Sequence, residues 1–158
     1  MDDTPTNAVA ALLALAGIEA TPLRLLVAEV LDQAGGALAA ADILTRVRRR
    51  HDLNKVTLYR TLDLFVERGL VLRHSSGDRA FRYCLGGKRS GAAHCHAYCR
   101  LCGRMQCVSA TGIASRLDGI PQDLLADVEN VEIRLDGVCE RCRKAMTVRH
   151  VDATRGNL

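Results

Sequence analysis

Two Cys-x-x-Cys units lie in the second half of the chain, one at Cys99 and Cys102 and the other at Cys139 and Cys142. Four thiolates brought together from two such turns complete the tetrahedral shell of a zinc ion. A single unit is also compatible with a dithiol redox pair or with buried apolar cysteines, but a second unit in the same region favours zinc. The spacing therefore predicts a structural zinc site that clamps the later unit to the start of a second domain.

A His-x-His dyad, His94 and His96, stands just before the first of these units. Residues two apart in a strand point to the same face of a sheet, so both imidazoles can reach one metal ion while Cys95 points away. Histidines beside a complete thiolate site indicate a second, more exchangeable site, whereas Cys95 is better explained as a small core residue. This layout is typical of a metal-responsive protein.

The composition indicates a helix-rich chain whose core is built from Leu, Val, Ile and Ala, since the 158 residues include three tyrosines, two phenylalanines and no tryptophan. That length allows one large domain or two small ones, and two small domains fit the motifs better. No apolar run spans a membrane and no signal region is visible, so we expect a cytoplasmic protein. Seven cysteines grouped as Cys-x-x-Cys suit zinc in a reducing compartment better than disulfides.

The first half of the chain predicts four helices followed by a hairpin. Thr21-Pro22 opens the second helix, and Asn54 is a suitable N-cap for a fourth helix that Gly69 closes. Alternating residues on either side of a Ser/Gly/Asp turn then predict two short strands. This order is that of a winged helix-turn-helix whose fourth helix enters the major groove. The predicted helices cover residues 8–17, 21–34, 39–51 and 55–68, and the strands 70–74 and 79–84.

The predicted fourth helix leaves hydrogen-bonding side chains outside its apolar stripe: Lys55, Thr57, Tyr59, Arg60 and Asp63. Arg60 can donate a bidentate pair to guanine, and Tyr59 can contact a phosphate, a thymine methyl or a base edge. Lys55 and Arg24 are expected to contact phosphates, within a locally basic stretch over residues 46–60. Alternatives are that Tyr59 packs in the helix bundle, that Arg60 pairs with Asp63 or Glu67, and that the basic stretch is a solvated helix end.

The domains are expected at residues 1–84 and 94–146, joined by a Gly-rich hinge over 85–93 and followed by a flexible tail over 147–158. In the second domain, two strands flank the first cysteine knuckle. A helical segment over about 110–117 and a strand over 128–135 precede the second knuckle.

The chain resembles the ferric uptake regulator (Fur) family through four motifs that occur in family order over roughly residues 20–143. They are Thr21-Pro22-Leu23-Arg24, Val56-Thr57-Leu58-Tyr59-Arg60-Thr61-Leu62, His94-Cys95-His96-Ala97-Tyr98-Cys99-Arg100-Leu101-Cys102-Gly103 and Cys139-Glu140-Arg141-Cys142. The resemblance implies an α+β, homodimeric transcription factor with an N-terminal winged helix and a small αβ dimerisation domain. Such a factor binds operator DNA when metal occupies its sensor site.

The resemblance also implies a sensor position on the wing's second strand, commonly Glu in iron-sensing members and Cys in zinc-sensing ones. That position is Cys84 here, and a thiolate shifts the preference toward zinc, so the chain is most similar to the zinc uptake regulator branch. Cys84 is expected to join His94 and His96 across the hinge. Two candidates for the remaining ligand stay open: His74, opposite Cys84 in the predicted hairpin, and Cys107, where relatives often have Glu. A solvated wing residue near phosphate is the alternative for His74.

The expected function is a zinc-responsive repressor of zinc uptake genes, acting as a homodimer on pseudo-palindromic operators with a structural and a regulatory Zn²⁺. No substrate and no catalysis are expected. A Fur-type regulator of iron, manganese, nickel or peroxide responses is the alternative. A zinc deaminase would need a His-x-Glu pairing, which neither His94 nor His96 supplies. A thiol oxidoreductase would need a Cys-x-x-Cys that opens a helix in a βαβ unit.

Overall fold

A computed structural model describes residues 5–75, 80–86, 94–108 and 132–146. Helices dominate the first part of the chain and strands the later part, which is an α+β order, as the sequence predicts. The elements are α1 (Pro5–Leu15), α2 (Pro22–Asp32), β1 (Gly36–Ala39), α3 (Ala40–Val47), α4 (Lys55–Glu67), β2 (Val71–Ser75), β3 (Phe81–Leu85), β4 (His94–Cys99), β5 (Met105–Val108) and β6 (Glu132–Gly137). A last helix covers residues 140–146.

Side-chain caps fix where the two longest predicted helices begin. The Thr21 hydroxyl accepts from the backbone N–H of Arg24 at 3.4 Å, with Pro22 in the first helical turn of α2. The Asn54 side chain accepts from the N–H of Thr57 at 2.8 Å and opens α4. Each cap satisfies a donor that the helix itself leaves without a partner, worth about 1 kcal/mol. These predictions of the helix starts are confirmed.

The helices enclose an aliphatic core beneath the wing. Leu58, Leu62 and Phe65 of α4 are fully buried against Val27 of α2 and Ile43 of α3. Fully burying one such side chain stabilises the fold by about 1.5–3 kcal/mol. The core therefore holds α4 by its apolar stripe and leaves the opposite face of this helix in solvent.

A single sheet runs through the described parts of the chain in the order β2-β3-β1-β5-β4-β6. The hairpin β2–β3 is the wing, and β1 continues it through antiparallel pairing with β3. On its other side β1 pairs antiparallel with β5, and β4 pairs parallel with β6. The pairing of β1 with β5 joins the winged helix to the cysteine-containing strands, which the sequence analysis did not predict.

Gly36 makes this junction possible. It lies opposite Gln106 in the β1–β5 register, and a Cβ atom at position 36 would overlap the carbonyl oxygen of Met105. Only glycine permits so close an approach of two backbones.

Other predicted elements differ in extent or lie outside the described residues. Helix α3 ends at Val47, earlier than predicted, and the following residues 48–50 form a turn. The predicted helical segment over 110–117, most of the predicted hinge and the tail over 147–158 fall outside the part of the chain that the structure describes. None of the described helices is long and apolar enough to cross a membrane.

Candidate metal centres and nucleic-acid surface

The four cysteines of the two Cys-x-x-Cys units meet at one point, with all four Sγ atoms within 4.8 Å of one another. The Sγ atoms of Cys102 and Cys139 lie 3.9 Å apart. A tetrahedral ion with Zn–S bonds of about 2.3 Å holds its sulfur ligands about 3.8 Å apart. The cluster, called the four-cysteine site below, therefore has the spacing that zinc requires.

Backbone hydrogen bonds shape the first knuckle and bring the second one to it. The N–H of Gly103, whose φ is 68°, donates to the Cys99 carbonyl at 2.8 Å. This left-handed conformation favours glycine and closes the turn. The N–H of Arg100 donates to the Gly137 carbonyl at 2.9 Å, which holds the end of β6 beside the knuckle. The N–H of Cys139 then donates to Cys99 Sγ at 3.3 Å.

The cysteines of the four-cysteine site favour different protonation states when no metal is bound. Hydrogen bonds from the backbone N–H groups of Cys139 and Cys102 lower the pKa of Cys99 to about 6. The backbone N–H of Arg104 likewise lowers the pKa of Cys102. A hydrogen bond with the Cys139 side chain, and to a smaller extent burial, raises the pKa of Cys142 to about 12. Four thiolates at this spacing need a cation to ionise together, and a divalent metal supplies that charge.

A second cluster, called the His–Cys–His site below, joins three strands. His74 Nε2 on β2 lies 3.2 Å from Cys84 Sγ on β3, which lies 3.5 Å from His96 Nε2 on β4. The two imidazole rings are 4.0 Å apart at their centroids. Sulfur and nitrogen ligands of one tetrahedral zinc ion are about 3.6 Å apart. Three buried ligands at this spacing can bind a single metal ion.

The strand register differs in one detail from the predicted hairpin. His74 lies opposite Arg82, and Cys84 lies opposite Leu72, so His74 and Cys84 are diagonal neighbours on the same face. Diagonal pairs on one face of an antiparallel sheet are close enough for long side chains to meet. The structure thus brings together Cys84, His96 and the candidate His74.

The other two predicted sensor residues, Cys107 and His94, are not members of this three-residue cluster. Cys107 on β5 lies directly opposite His96, which puts both side chains on the same face. It is exposed, outside the three-residue cluster, and lines a cavity of about 190 Å³ together with Cys84. His94 begins β4, but its side chain lies outside the described residues. Cys95 is fully buried, in keeping with its interpretation as a core residue.

Arginine contacts beside the His–Cys–His site link the wing to the last strand. Arg134 of β6 donates to the Ser75 carbonyl of β2 at 3.1 Å and pairs with Asp136. The guanidinium groups of Arg134 and Arg82 each lie 5.8 Å from the centre of the Tyr98 ring. The sequence analysis did not single out these residues, because the pairing of β6 with β4 cannot be inferred from local pattern.

Helix α4 presents the residues predicted to contact DNA. Lys55 and Arg60 are exposed, Thr57 is half-buried, and the Tyr59 side chain is exposed with Lys55 Nζ 5.8 Å from the centre of its ring. Of the predicted basic stretch, Arg48 and Arg50 bond inside the fold, to the Leu53 carbonyl and to Glu29. Arg24 is partly exposed and donates to the Glu19 carbonyl at 3.0 Å. The polar face of α4 is therefore exposed, as its insertion into a DNA groove would require.

The chain matches the model of the ferric uptake regulator family over residues 15–136. The ferric uptake regulation protein of Bacillus subtilis (strain 168) is 31% identical over 120 residues, which cover 66% of this chain and 71% of that protein. The chain therefore belongs to the ferric uptake regulator family, whose members are DNA-binding transcription regulators and not enzymes.

Solved structures of regulators share the fold. The ferric uptake regulator of Vibrio cholerae has a TM-score of 0.65 at 26% identity, covering 82% of this chain and 98% of its own. A zinc uptake regulator complexed with zinc and DNA has a TM-score of 0.67 at 22% identity, covering 92% of this chain and 99% of its own. An identity this low supports the fold alone, so the metal that this chain senses must be argued from its own ligands.

Proposed function

We propose that this protein is a zinc-responsive repressor of zinc uptake genes that acts in the cytoplasm as a homodimer on pseudo-palindromic operators. The observation that carries the proposal is the buried His–Cys–His site, with Cys84 at its centre. Imidazole and thiolate ligands together suit zinc, whereas iron and manganese sites favour nitrogen and harder oxygen ligands. The four-cysteine site is the structural zinc site of the same chain.

His74, Cys84 and His96 are the proposed sensor ligands, and one position of a tetrahedral ion is left for a fourth. Cys107 is our first candidate, because it lies opposite His96 on the same face and shares a cavity with Cys84. His94 is the second, since residues two apart on β4 share a face. A Cys107 ligand would give the site two sulfur and two nitrogen donors.

Zinc at this site would act as a clamp between the wing and β4. His74 and Cys84 belong to the wing, whereas His96 belongs to the strands beyond the predicted hinge. Metal binding favours the arrangement in which these parts are held together. In a dimer this fixes the spacing of the two α4 helices, which must match two half-sites of operator DNA.

Operator recognition is assigned to the exposed face of α4. Arg60 is proposed to read guanine and Tyr59 a base edge or thymine methyl, while Thr57, Lys55 and Arg24 position the protein on phosphates. Arg60→Ala should weaken operator binding by about 1–3 kcal/mol and relax the preference at one position of each half-site. Lys55→Ala should weaken binding to all sequences alike and flatten its salt dependence. Unchanged operator affinity of folded Arg60→Ala protein would refute the assigned role.

The test of the metal is operator binding by sensor-stripped protein, titrated anaerobically with buffered Zn(II), Fe(II), Mn(II) and Ni(II). The iron and manganese arms matter because the Bacillus subtilis relative is a ferric uptake regulation protein and another structural neighbour is a zinc-bound manganese uptake regulator. We expect Zn(II) to drive binding at the lowest free concentration. Tight binding driven by Fe(II) at lower free metal than Zn(II) would overturn the zinc assignment.

A further inference from the structure

We infer that a cleft between β1 and the first cysteine knuckle binds a phosphate-class oxyanion. This arginine cleft, as it is called below, has a volume of about 660 Å³. Strand β1 and the start of α3 form one side of it, and residues 102–106 form the other. Cys102 of the four-cysteine site lies at its edge, and its residue Arg82 lies opposite His74 of the His–Cys–His site, but neither proposed metal role uses its arginines.

Small residues make up much of the lining of the arginine cleft, which leaves the space open. Alanine or glycine occupies positions 34–37, 39, 80 and 103 of its lining. The volume lies within the range of pockets that hold small molecules. A charged lining selects a polar ligand of opposite charge over an apolar one.

The charge of the walls is strongly unbalanced. Among the described residues that line the cleft, Asp42 is the one acidic side chain and four are arginines: Arg46, Arg82, Arg104 and Arg141. They come from α3, β3, the first knuckle and the last helix, so no single element explains why they converge. Guanidinium groups match the oxygen spacing of phosphate and sulfate through paired hydrogen bonds.

Arg82 shows that at least one of these cations is held in place. Its neighbour Tyr83 is buried in the helical core, so alternation along β3 sends Arg82 to the opposite face. Its guanidinium stacks near Tyr98, and one of its terminal nitrogens lies 3.4 Å from where a Cβ of Gly103 would be. An arginine held by such contacts loses less conformational freedom when an anion binds.

The arginine cleft also spans the two parts of the chain that β1 and β5 join. An anion there would contact Arg46 and Arg82 from the winged helix together with Arg104 and Arg141 from the cysteine-containing part. It would stabilise the same arrangement that zinc favours at the His–Cys–His site. Thermodynamic linkage then requires that the anion raise zinc affinity and that zinc raise anion affinity by the same factor.

Two sources can supply this chemistry: a free phosphorylated molecule, or a backbone phosphate of bound DNA. The cleft shares Ala39 and Ala80 with a cavity that Tyr59 also lines, so it adjoins the DNA-facing surface. Both sources present the same tetrahedral oxyanion to the same arginines, and the experiment separates them.

The experiment follows backbone amide resonances of the ¹⁵N-labelled, zinc-replete full chain as sodium sulfate replaces sodium chloride at constant ionic strength. Sulfate is used because it has the same tetrahedral shape as phosphate but does not precipitate zinc. We expect saturable shifts at Gly35, Gly36 and Gly103, which line the cleft, and none at Gly17. A nucleoside monophosphate should shift the same resonances, and a chain without zinc at the His–Cys–His site should bind both anions more weakly.

The matched variants remove equal charge from the same two elements. Arg104→Ala/Arg141→Ala should weaken sulfate binding by about tenfold or more, because two charge-assisted contacts are lost. Arg100→Ala/Arg143→Ala changes exposed arginines that do not line the cleft and should bind as the parent does. Retention of zinc at the four-cysteine site shows that each variant is folded.

The DNA arm compares the salt dependence of operator binding for the two double variants. Should sulfate fail to bind, a flatter salt dependence in Arg104→Ala/Arg141→Ala alone would identify DNA phosphate as the anion. The proposal is overturned if the two double variants bind sulfate equally well. It is also overturned if the parent shows no saturable shift and the two variants have equal salt dependence.

Discussion

The four-cysteine site and the His–Cys–His site solve the same coordination problem with different parts of the fold. The ligands of the four-cysteine site come from two Cys-x-x-Cys units, one at the end of β4 and the other at the start of the last helix, and Cys102 among them is exposed. The His–Cys–His ligands come from three separate strands, and all three side chains are buried. None of these four ligands belongs to the wing, so this site can bind metal without the wing being docked. A site made from three strands exists only when the wing is docked, so it can report docking.

The energies that the two sites must supply differ accordingly. A structural zinc site of a small module contributes on the order of 10 kcal/mol to folding, because the unfolded chain has no preformed site. A sensor needs only to tip a conformational equilibrium whose states differ by a few kcal/mol. The comparison therefore predicts one zinc that is retained and one that exchanges.

The largest expected effect follows from Cys139→Ser, which removes one thiolate of the four-cysteine site. The variant should lose one tightly held zinc per chain and be partly unfolded and largely monomeric, as measured by metal analysis, circular dichroism and sedimentation. A stable, zinc-replete dimer of this variant would remove the distinction between the two sites.

Cys84→Ser should have the opposite pattern. All four ligands of the four-cysteine site remain, so the protein should stay folded and dimeric and keep one tight zinc per chain. It should lose zinc-induced operator binding, because the wing is no longer tied to β4, and His96→Ala should behave in the same way. If Cys84→Ser protein still switches onto DNA over the parent's range of free zinc, Cys84 is not a sensor ligand.

His74 and Cys107 offer a finer comparison within the His–Cys–His site. His74→Ala removes a buried ligand 3.2 Å from Cys84 and should raise the free zinc needed for half-maximal operator binding by about a hundredfold or more. Cys107→Ser changes an exposed thiol at the edge of the cluster and should raise it by about tenfold. A larger effect of Cys107→Ser than of His74→Ala would reverse this ranking.

The last prediction tests whether part of the docking of the wing is independent of zinc. Gly36→Val should force β1 away from Met105, at a cost of about 1–3 kcal/mol, and weaken both operator binding and the affinity of the sensor for zinc. Gly137→Val is the matched control, since a Cβ there meets nothing within 4 Å. Metal-stoichiometry measurements should show the zinc of the four-cysteine site unchanged in both variants. Equal operator affinity of the two variants would contradict a role for the β1–β5 pairing.

Much of the winged helix follows from local sequence. Asn54 and Gly69 bound α4 by capping chemistry, and the wing follows from alternation, because these signals depend on neighbours in the chain. The meeting of the two Cys-x-x-Cys units is also foreseeable, since zinc chemistry leaves few other arrangements for them.

The rest depends on pairing between distant segments. Strand β1 has the sequence Gly-Ala-Leu-Ala, with no β-branched or aromatic residue, and it is a strand because β3 and β5 flank it. His74 belongs to the cluster because of the register of β2 against β3. A one-residue slip of β2 would turn His74 to the other face of the sheet. The convergence of four arginines on one cleft involves four elements, and no local pattern encodes it.

The order of the ligands along the chain has a consequence for biosynthesis. His74, Cys84 and His96 all precede Cys139, which lies 40 residues after its hydrogen-bonding partner Cys99. Because a ribosome extends the chain from the N-terminus, every residue of the His–Cys–His site is made before the ligand set of the four-cysteine site is complete. The nascent protein thus carries the ligands of the His–Cys–His site first, and the four-cysteine site can close around a metal ion only after the second knuckle has left the ribosome.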